Sequence, residues 1–266
     1  MGIVTISRGS YSRGKEIAEK LAETLGYRCV SREILLKASK EFDVPEVQLI
    51  QAIQDAPSFF DRLKHGKKKY LAFIREAFLE CVMKDDVVYH GFAGHFFTQD
   101  VPGILKVRII ANFNYRTNII MKRENISEEE ARKLLDKIDS ERRKWGMYLY
   151  SIDPSDPSLY DIVLRVDCLG VDECVESLID LAKCPCFQTT DESMKKLKDL
   201  HLAAKATSRL VWKFPDANVK CKDGVVMVSL ESSLKKEAET LEYINEQLKD
   251  LEDIKELKTF VIPFET

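Results

Sequence analysis

The chain opens on GIVTIS, a short apolar run rich in β-branched residues, which predicts a strand buried on both faces. A polar loop follows, then GKEIAEKLAETLG. There Ile17, Leu21 and Leu25 recur at helical spacing, Ala18 and Ala22 flank them, and Gly26 supplies a stop. A second short segment reads YRCVSREIL. From about Ser39 to Met83 the pattern is helical, with breaks at Pro45 and Pro57. DVVYHGFAG predicts another buried strand running into a glycine turn, and ILKVRIIANF a third. SEEEARKLLDKIDSERRKWGMYLY predicts a charged amphipathic helix. Its Ser127 is a good N-cap, and Glu130 completes a capping box. YDIVLRVD predicts a further strand, followed by the helix VDECVESLIDLAK. Strands alternating with helices over roughly 180 residues predict an α/β fold, a parallel sheet with helices on both faces.

The pattern changes after CPCFQTTDES, a polar stretch containing proline. Beyond it come a helix over about Glu192–Trp212, the strands NVKCKDG and VVMVSLE, a helix over about Ser233–Leu251 and the strand IKELKTFVIPF. Asp223-Gly224 between two alternating strands is a hairpin signal. The expected organisation is an α/β domain over 1–185, a linker over 186–191 and a small α+β domain, ordered α-β-β-α-β, over 192–266.

Composition narrows the class. The chain has 266 residues, 45% of them hydrophobic, and a formal net charge of −3. It can build a sizeable core, and its near-balanced charge gives no reason to expect a nucleic-acid partner. No run is long and apolar enough to cross a membrane, and MGIVTIS lacks the basic leader of a signal peptide. The expected location is the cytoplasm. Seven cysteines are scattered, and only Cys184 and Cys186 are close. That pair has no second pair or histidine beside it, so the seven read as ordinary thiols and no metal site is expected.

One stretch carries chemistry. Gly9-Ser10-Tyr11-Ser12-Arg13-Gly14-Lys15-Glu16 has the spacing G-x-x-x-x-G-K of a phosphate-binding loop. It stands between a strand and a helix, the context such a loop needs. Backbone N–H groups converge at a helix N-terminus and favour an anion. Gly9 and Gly14 let the backbone approach the phosphates, and Lys15 places an ammonium on the terminal ones. The last position normally holds a magnesium-ligating hydroxyl, and here it is Glu16. A carboxylate at this place fits better pointing away and supporting the first helical turn.

The segment ISRGSYSRGKEIAEKLAETLGYRCVSREIL resembles the start of the cytidylate kinase-like family of P-loop proteins, in which an E-I-A after the loop is ordinary. The matches are Ser7-Arg8, Lys15-Glu16-Ile17-Ala18, Leu25-Gly26 and Arg32-Glu33-Ile34-Leu35. The likeness continues in order through APSFFDRL, VVYHGFAGHFF, LKVRIIANFNYR, the charged helix and DPSLYDIVLRVD. It implies a nucleotide kinase architecture with a lid, a nucleoside triphosphate such as ATP with Mg²⁺, and a small acceptor such as CMP. Arg142 and Arg143 fall in the lid-like segment and suit phosphate. Asp139, three residues earlier, could pair with Arg142 and orient it. The chain also departs from the family. Relatives commonly carry glycine where this chain has Tyr11 and Arg13, aspartate at Ser31, G-R-G at Gly91-Phe92-Ala93, and N-T-D at Arg165-Val166-Asp167. The C-terminal module resembles a BON domain in its element order and in DGVVMVSLE, with Glu231 in place of a glycine. That likeness implies an unidentified ligand or partner.

Two functions stand open on this reading. One is a nucleotide-binding phosphotransferase with Lys15 and Arg142 as catalytic residues and the stretch Gly9 to Glu16 with Arg142 and Arg143 on the phosphates. The other is a non-catalytic regulator, in which the same fold binds a nucleotide or nothing and the BON-like tail binds a partner or ligand. His90 and His95 flank the Gly91 turn where α/β sheets bind ligands, yet each reads as a packed bystander. Lys67, Lys68 and Lys69 read as a solvated helix face rather than a rim of the phosphate site.

Overall fold

The computed structural model describes residues 2–54, 66–91, 94–150 and 152–263. Five strands form one sheet: β1 (Ile3–Arg8), β2 (Arg28–Val30), β3 (Val87–His90), β4 (Ile104–Ile110) and β5 (Ile162–Arg165). The order is β2-β3-β1-β4-β5, and every pair is parallel. Parallel strands need crossovers, and helices supply them: α1 (Gly14–Leu25), α2 (Glu33–Glu41), α3 (Glu46–Gln54), α4 (Gly66–Val82), α5 (Gly94–Phe97), α6 (Phe113–Glu124), α7 (Glu128–Tyr150), α8 (Val166–Leu169) and α9 (Val171–Lys183).

The two faces of the sheet explain the continuous apolar runs. Val4 and Ile6 of β1, Val88 of β3 and Leu105, Val107 and Ile109 of β4 share a core with Ile17 and Leu21 of α1 and Cys174 and Leu178 of α9. Ile3, Val87, Tyr89 and Ile104 point the other way, into a core with Phe73 and Phe78 of α4 and Phe96 and Phe97 of α5. The helical stretch expected over Ser39–Met83 resolves into the end of α2, α3 and α4. Pro57 and His65 lie outside the described residues. Three helices have no counterpart in the sequence reading: the one-turn α5 and α8, the latter ending β5 before Val166, and α6, capped by Asn112, whose side chain accepts from Asn114 N. The capping box expected at α7 is present. Glu130 Oε2 accepts from Ser127 N at 2.9 Å, and Glu130 N donates to Ser127 Oγ at 3.3 Å.

A three-stranded sheet follows, β6 (Asn218–Lys222), β7 (Val225–Ser232) and β8 (Glu256–Pro263), with β6 antiparallel and β8 parallel to β7. Helices α10 (Asp191–Leu210) and α11 (Glu237–Leu248) complete the expected α-β-β-α-β order. The hairpin turn holds Asp223 at φ 56° and Gly224 at φ 82°, as a two-residue turn with both central residues left-handed requires. Helix α10 serves two cores. Leu197, Ala204 and Val211 just beyond its end join the core on α4, whereas Leu202, Ala203, Ala206 and Leu210 join the core of the small sheet. The 186–191 stretch is bonded to the first sheet's surroundings. Gln188 Nε2 donates to Ala182 O, and Thr189 Oγ1 donates to Asp85 Oδ2 at 2.6 Å. Among the described residues no helix is long and apolar enough to cross a membrane.

Candidate functional site

The connection from β1 runs to β2 on one side of the sheet, and the connection from its neighbour β4 runs to β5 on the other. At such a switch point the carboxyl edge of an open parallel sheet forms a crevice for ligands. The loop from Gly9 to Arg13 occupies it. Gly9 N donates to Ile109 O at 2.9 Å, and Ser12 Oγ donates to Gly9 O at 2.8 Å and to Ile109 O at 3.1 Å. These bonds clamp the loop across β4. Ser12 is therefore spent on the scaffold. Ser10 is 3% exposed, and its Oγ has no partner among the described residues.

The loop keeps a glycine-like path without the glycines. Tyr11 sits at φ 58° and Arg13 at φ 55°, the left-handed region that costs a non-glycine residue about 1–2 kcal/mol. Neighbours brace both. Tyr11 packs on the small core around Ile120 and Leu135, under the guanidinium of Arg123 at 5.6 Å. Arg13 is held by Glu16 through two hydrogen bonds of 2.8 and 2.7 Å, and Tyr115 also bonds it. Glu16 thus faces Arg13. Gly14 is sterically required: a Cβ there would stand 2.8 Å from Cβ of Arg8. At Gly9 a Cβ would meet nothing closer than 3.7 Å. Lys15 is 64% exposed and reaches along α1 to Glu19 at 3.5 Å.

Arginines surround this loop. Arg142 of α7 donates to Arg8 O at 2.6 Å. Burial, with Arg8, Arg108 and Arg116 nearby, holds its guanidinium down to about 10. Burial lowers Arg8 as well, and Arg123 adds to that. Arg116 of α6 bonds Asp139 at 2.8 Å and reaches Ser10 O at 3.5 Å, while its Nε is buried without a partner. Asp139 therefore orients Arg116, not Arg142 as its spacing on α7 predicted. Arg108 bonds Pro154 O and Tyr160 Oη, the latter at 3.1 Å. Tyr160 Oη also lies 3.2 Å from both Ser7 Oγ and His95 Nε2, so His95 belongs to a bonded network behind the loop. Arg143 is placed differently. It is 63% exposed and held by Asp153 at 3.0 Å and Ser155 at 3.3 Å.

Among the described residues no ion pair neutralises Arg8, Arg108 or Arg142; Asp139 pairs with Arg116 and offsets the charge of Arg142 only through space. Buried positive charge in such excess demands an anion. The donor set suits phosphate rather than a bare metal. Both oxygens of Glu16 are on Arg13, and the described residues hold no group of three or more acidic, histidine or cysteine side chains that could bind a metal. Magnesium fits here as the companion of a nucleotide's own phosphate oxygens.

Sequence reasoning named Gly9 through Glu16, Arg142 and Arg143. It left out Arg108 and Arg116, and gave Arg8 no role beyond its motif. Arg116 was hidden by the missed helix α6. Arg108 had a signal, a basic residue interrupting an apolar run near the carboxyl end of a buried strand. The departures from the family also find their places. Ser31 N donates to Glu33 Oε2 at 2.8 Å, and Arg165 pairs with Asp167 at 2.8 Å. Asp167 Oδ1 accepts from Asn112 N at 3.0 Å, tying the ends of β4 and β5. Phe92 and Ala93 lie outside the described residues. Lys68 and Lys69 meet Asp216 and Trp212 of the C-terminal region, not the loop.

The fold defines a P-loop, kinase-like α/β protein, and this edge gathers its arginines around the loop. The model of the cytidylate kinase-like family matches residues 3–167, and the chain belongs to that family. A cytidylate kinase of Methanothrix thermoacetophila is 29% identical over 165 residues, covering 61% of this chain and 87% of its own length. One from Pyrococcus horikoshii is 23% identical over 163 residues, covering 61% and 79%. An uncharacterized protein from Eubacterium ventriosum has a solved structure that covers 68% of this chain and 98% of its own, at 21% identity and a TM-score of 0.52. That likeness is one of fold.

Proposed function

We propose that this chain binds a nucleoside triphosphate with its magnesium on the loop from Gly9 to Glu16 and passes the terminal phosphoryl group to a small acceptor, CMP being the first to try. The observation that supports it is the set of arginines Arg8, Arg108, Arg116 and Arg142, clustered at the loop's edge of the sheet, of which Asp139 ion-pairs Arg116. Phosphoryl transfer has little covalent work for a protein to do beyond positioning and charge stabilisation, and this set supplies both. The first-turn N–H groups of α1 would meet the donor phosphates. Lys15 would leave Glu19 for the terminal group, and Arg142, already anchored on Arg8 O, would stand on the transferred one. The bond from the phosphorus to the bridging oxygen breaks, the acceptor oxygen takes its place, and the acceptor proton leaves to solvent. Arg143 joins only if the lid turns it inward.

A second reading is a nucleotide sensor without transfer. Lys15 resting on Glu19, and Ser31 and Arg165 standing where relatives place acceptor contacts, favour it. Calorimetry of Mg²⁺-ATP and Mg²⁺-GTP decides the shared step, with Lys15→Ala as control. Binding lost in the variant supports the loop, and product formed from CMP then separates kinase from sensor. Binding unchanged in Lys15→Ala overturns the loop assignment. For residues 192–266, the α-β-β-α-β order supports a BON-like ligand-binding module, which a thermal-shift screen with phospholipid vesicles and small metabolites would test.

A further inference from the structure

His90 ends β3, paired with Ile6 of β1. Residues paired across parallel strands point to the same face, and Ile6 and Arg8 share that face by the two-residue period. So His90 and Arg8 both emerge on the α1 side, at the carboxyl edge. Arg8 lies against the first turn of α1, where a Cβ on Gly14 would touch it at 2.8 Å. A cation at a helix N-terminus opposes the dipole, and no carboxylate among the described residues pairs with Arg8. His90 is 4% exposed, and its Nδ1 has no hydrogen-bond partner among the described residues. An unpartnered buried imidazole nitrogen beside an unpaired guanidinium is costly unless a ligand meets both. His95, five residues on, provides the contrast, for its ring is bonded to Tyr160.

We propose that Arg8 and His90 jointly hold a tetrahedral dianion, a terminal phosphate group of the ligand, against the first turn of α1, and that the His90 imidazole takes up a proton as that group enters. The proposal rests on the phosphate-site reading above and adds a residue and a proton to it. The groups facing His90 are Arg8 from β1, Lys15 and Glu19 from α1, and Glu33 from α2. In the ligand-free chain burial and the cation of Arg8 hold the ring neutral, down to about 4, with Lys15 adding to this and Glu19 and Glu33 opposing it. A dianion in contact with Arg8 reverses the sign of the local field, so the charged ring becomes the favoured form. Nδ1–H then donates to the anion, and no bond other than the N–H is made.

The test is the proton NMR titration of the ring signals in the whole chain, which has 4 histidines. His90→Gln assigns the signal. If that variant does not fold, His65→Gln, His95→Gln and His201→Gln assign it by elimination. The probes are sulfate, which has no proton to exchange in this range, then ATP and CMP. The expected result is that sulfate raises the His90 midpoint by about one unit or more, and that His95 stays put. Binding heats in two buffers of different ionisation enthalpy should then report proton uptake, lost in His90→Gln. A shift with ATP alone assigns the subsite to the donor, and a shift with CMP alone to the acceptor. Anion binding that weakens in Arg142→Ala but leaves the His90 titration unmoved overturns this proposal and spares the phosphate site. No binding of any probe overturns both.

Discussion

The carboxyl edge of the five-stranded sheet and the small C-terminal sheet both carry basic residues and treat them in opposite ways. Around the small sheet each cation named here finds an acid. Lys195 meets Asp223, Arg209 meets Asp250 and Lys213 meets Glu239 at 3.3 Å. Even the backbone N–H groups of its hairpin turn are taken, by Asp199 Oδ2 at 2.8 Å and Oδ1 at 3.0 Å. At the edge of the larger sheet Arg8, Arg108 and Arg142 are ion-paired to nothing among the described residues. Among the described residues Ser10 Oγ, His90 Nδ1 and Arg116 Nε are buried and find no hydrogen-bond partner. One region is complete as folded. The other leaves charged and polar groups unanswered among the described residues, and that difference is what the proposed phosphate site rests on.

The largest expected effect breaks the edge. Arg142→Ala removes a charged donor from the loop and should weaken Mg²⁺-ATP binding about 100-fold, on the order of 3 kcal/mol. Calorimetry measures it, and affinity within threefold of the parent would show that the arginines are not the phosphate's partners. A matching cut in the small sheet is Ile244→Ala. That side chain is fully buried in the core of α10, α11 and the three strands. The change should cost about 3 kcal/mol of stability on denaturant unfolding. It should leave anion binding intact, because the loop's contacts all lie in the other region. If nucleotide affinity fell in step with stability, the two regions would be coupled through α10.

Acid sharpens the same comparison. Burial holds His90 down to about 4 and His95 down to about 3. The folded chain keeps both rings neutral where the unfolded chain protonates them, at about 6.5. Below that pH the unfolded state binds more protons, so stability falls as pH drops from about 6.5 toward 4. Each histidine contributes up to about 1.4 kcal/mol per pH unit. Unfolding curves across this range should show the slope, and saturating sulfate should shrink His90's share of it while leaving His95's. A slope unchanged by sulfate would mean that the anion does not reach His90.

Much of this was legible in the chain, for physical reasons that vary by element. GIVTIS and the helix after it were clear because both sides of β1 are buried and α1 has one apolar stripe. The Ser127 cap and the Asp223-Gly224 turn were clear because each is local chemistry. Helix α6 was not, because FNYRTNIIMKRE has little apolar periodicity and buries only Thr117 and Ile120. The double duty of α10 was visible only as apolar residues on every side, Leu197, Leu200, Leu202, Ala203, Ala204 and Ala206, where a helix packing on one partner shows a single stripe. The site was half legible. Spacing marks a loop, yet the arginines that answer it come from β1, β4, α6 and α7, and only folding brings these together. His90 looked like a bystander because an unpartnered nitrogen is a property of the neighbourhood, not of the residue.

The smallest expected effect concerns the turn that completes the small sheet. Asp199 sits on α10 and accepts from the N–H groups of Asp223 and Gly224, and from Cys221 Sγ at 3.3 Å. Its carboxylate raises the Cys221 thiol, already pushed up by burial, to about 12. Asp199→Asn keeps the size and the acceptor oxygen but loses the charge and can satisfy fewer of the three donors. The cost should be about 1–2 kcal/mol, since hydrogen bonds to a charged group are stronger than neutral ones. The Cys221 thiol should also fall toward its ordinary range, making it faster to alkylate in mildly alkaline buffer. Both readouts belong to the small sheet, and nucleotide binding should not move. Were Asp199→Asn to weaken Mg²⁺-ATP, the small sheet would be part of the phosphate site's support, and the separation between a satisfied region and an unsatisfied one would fail at α10.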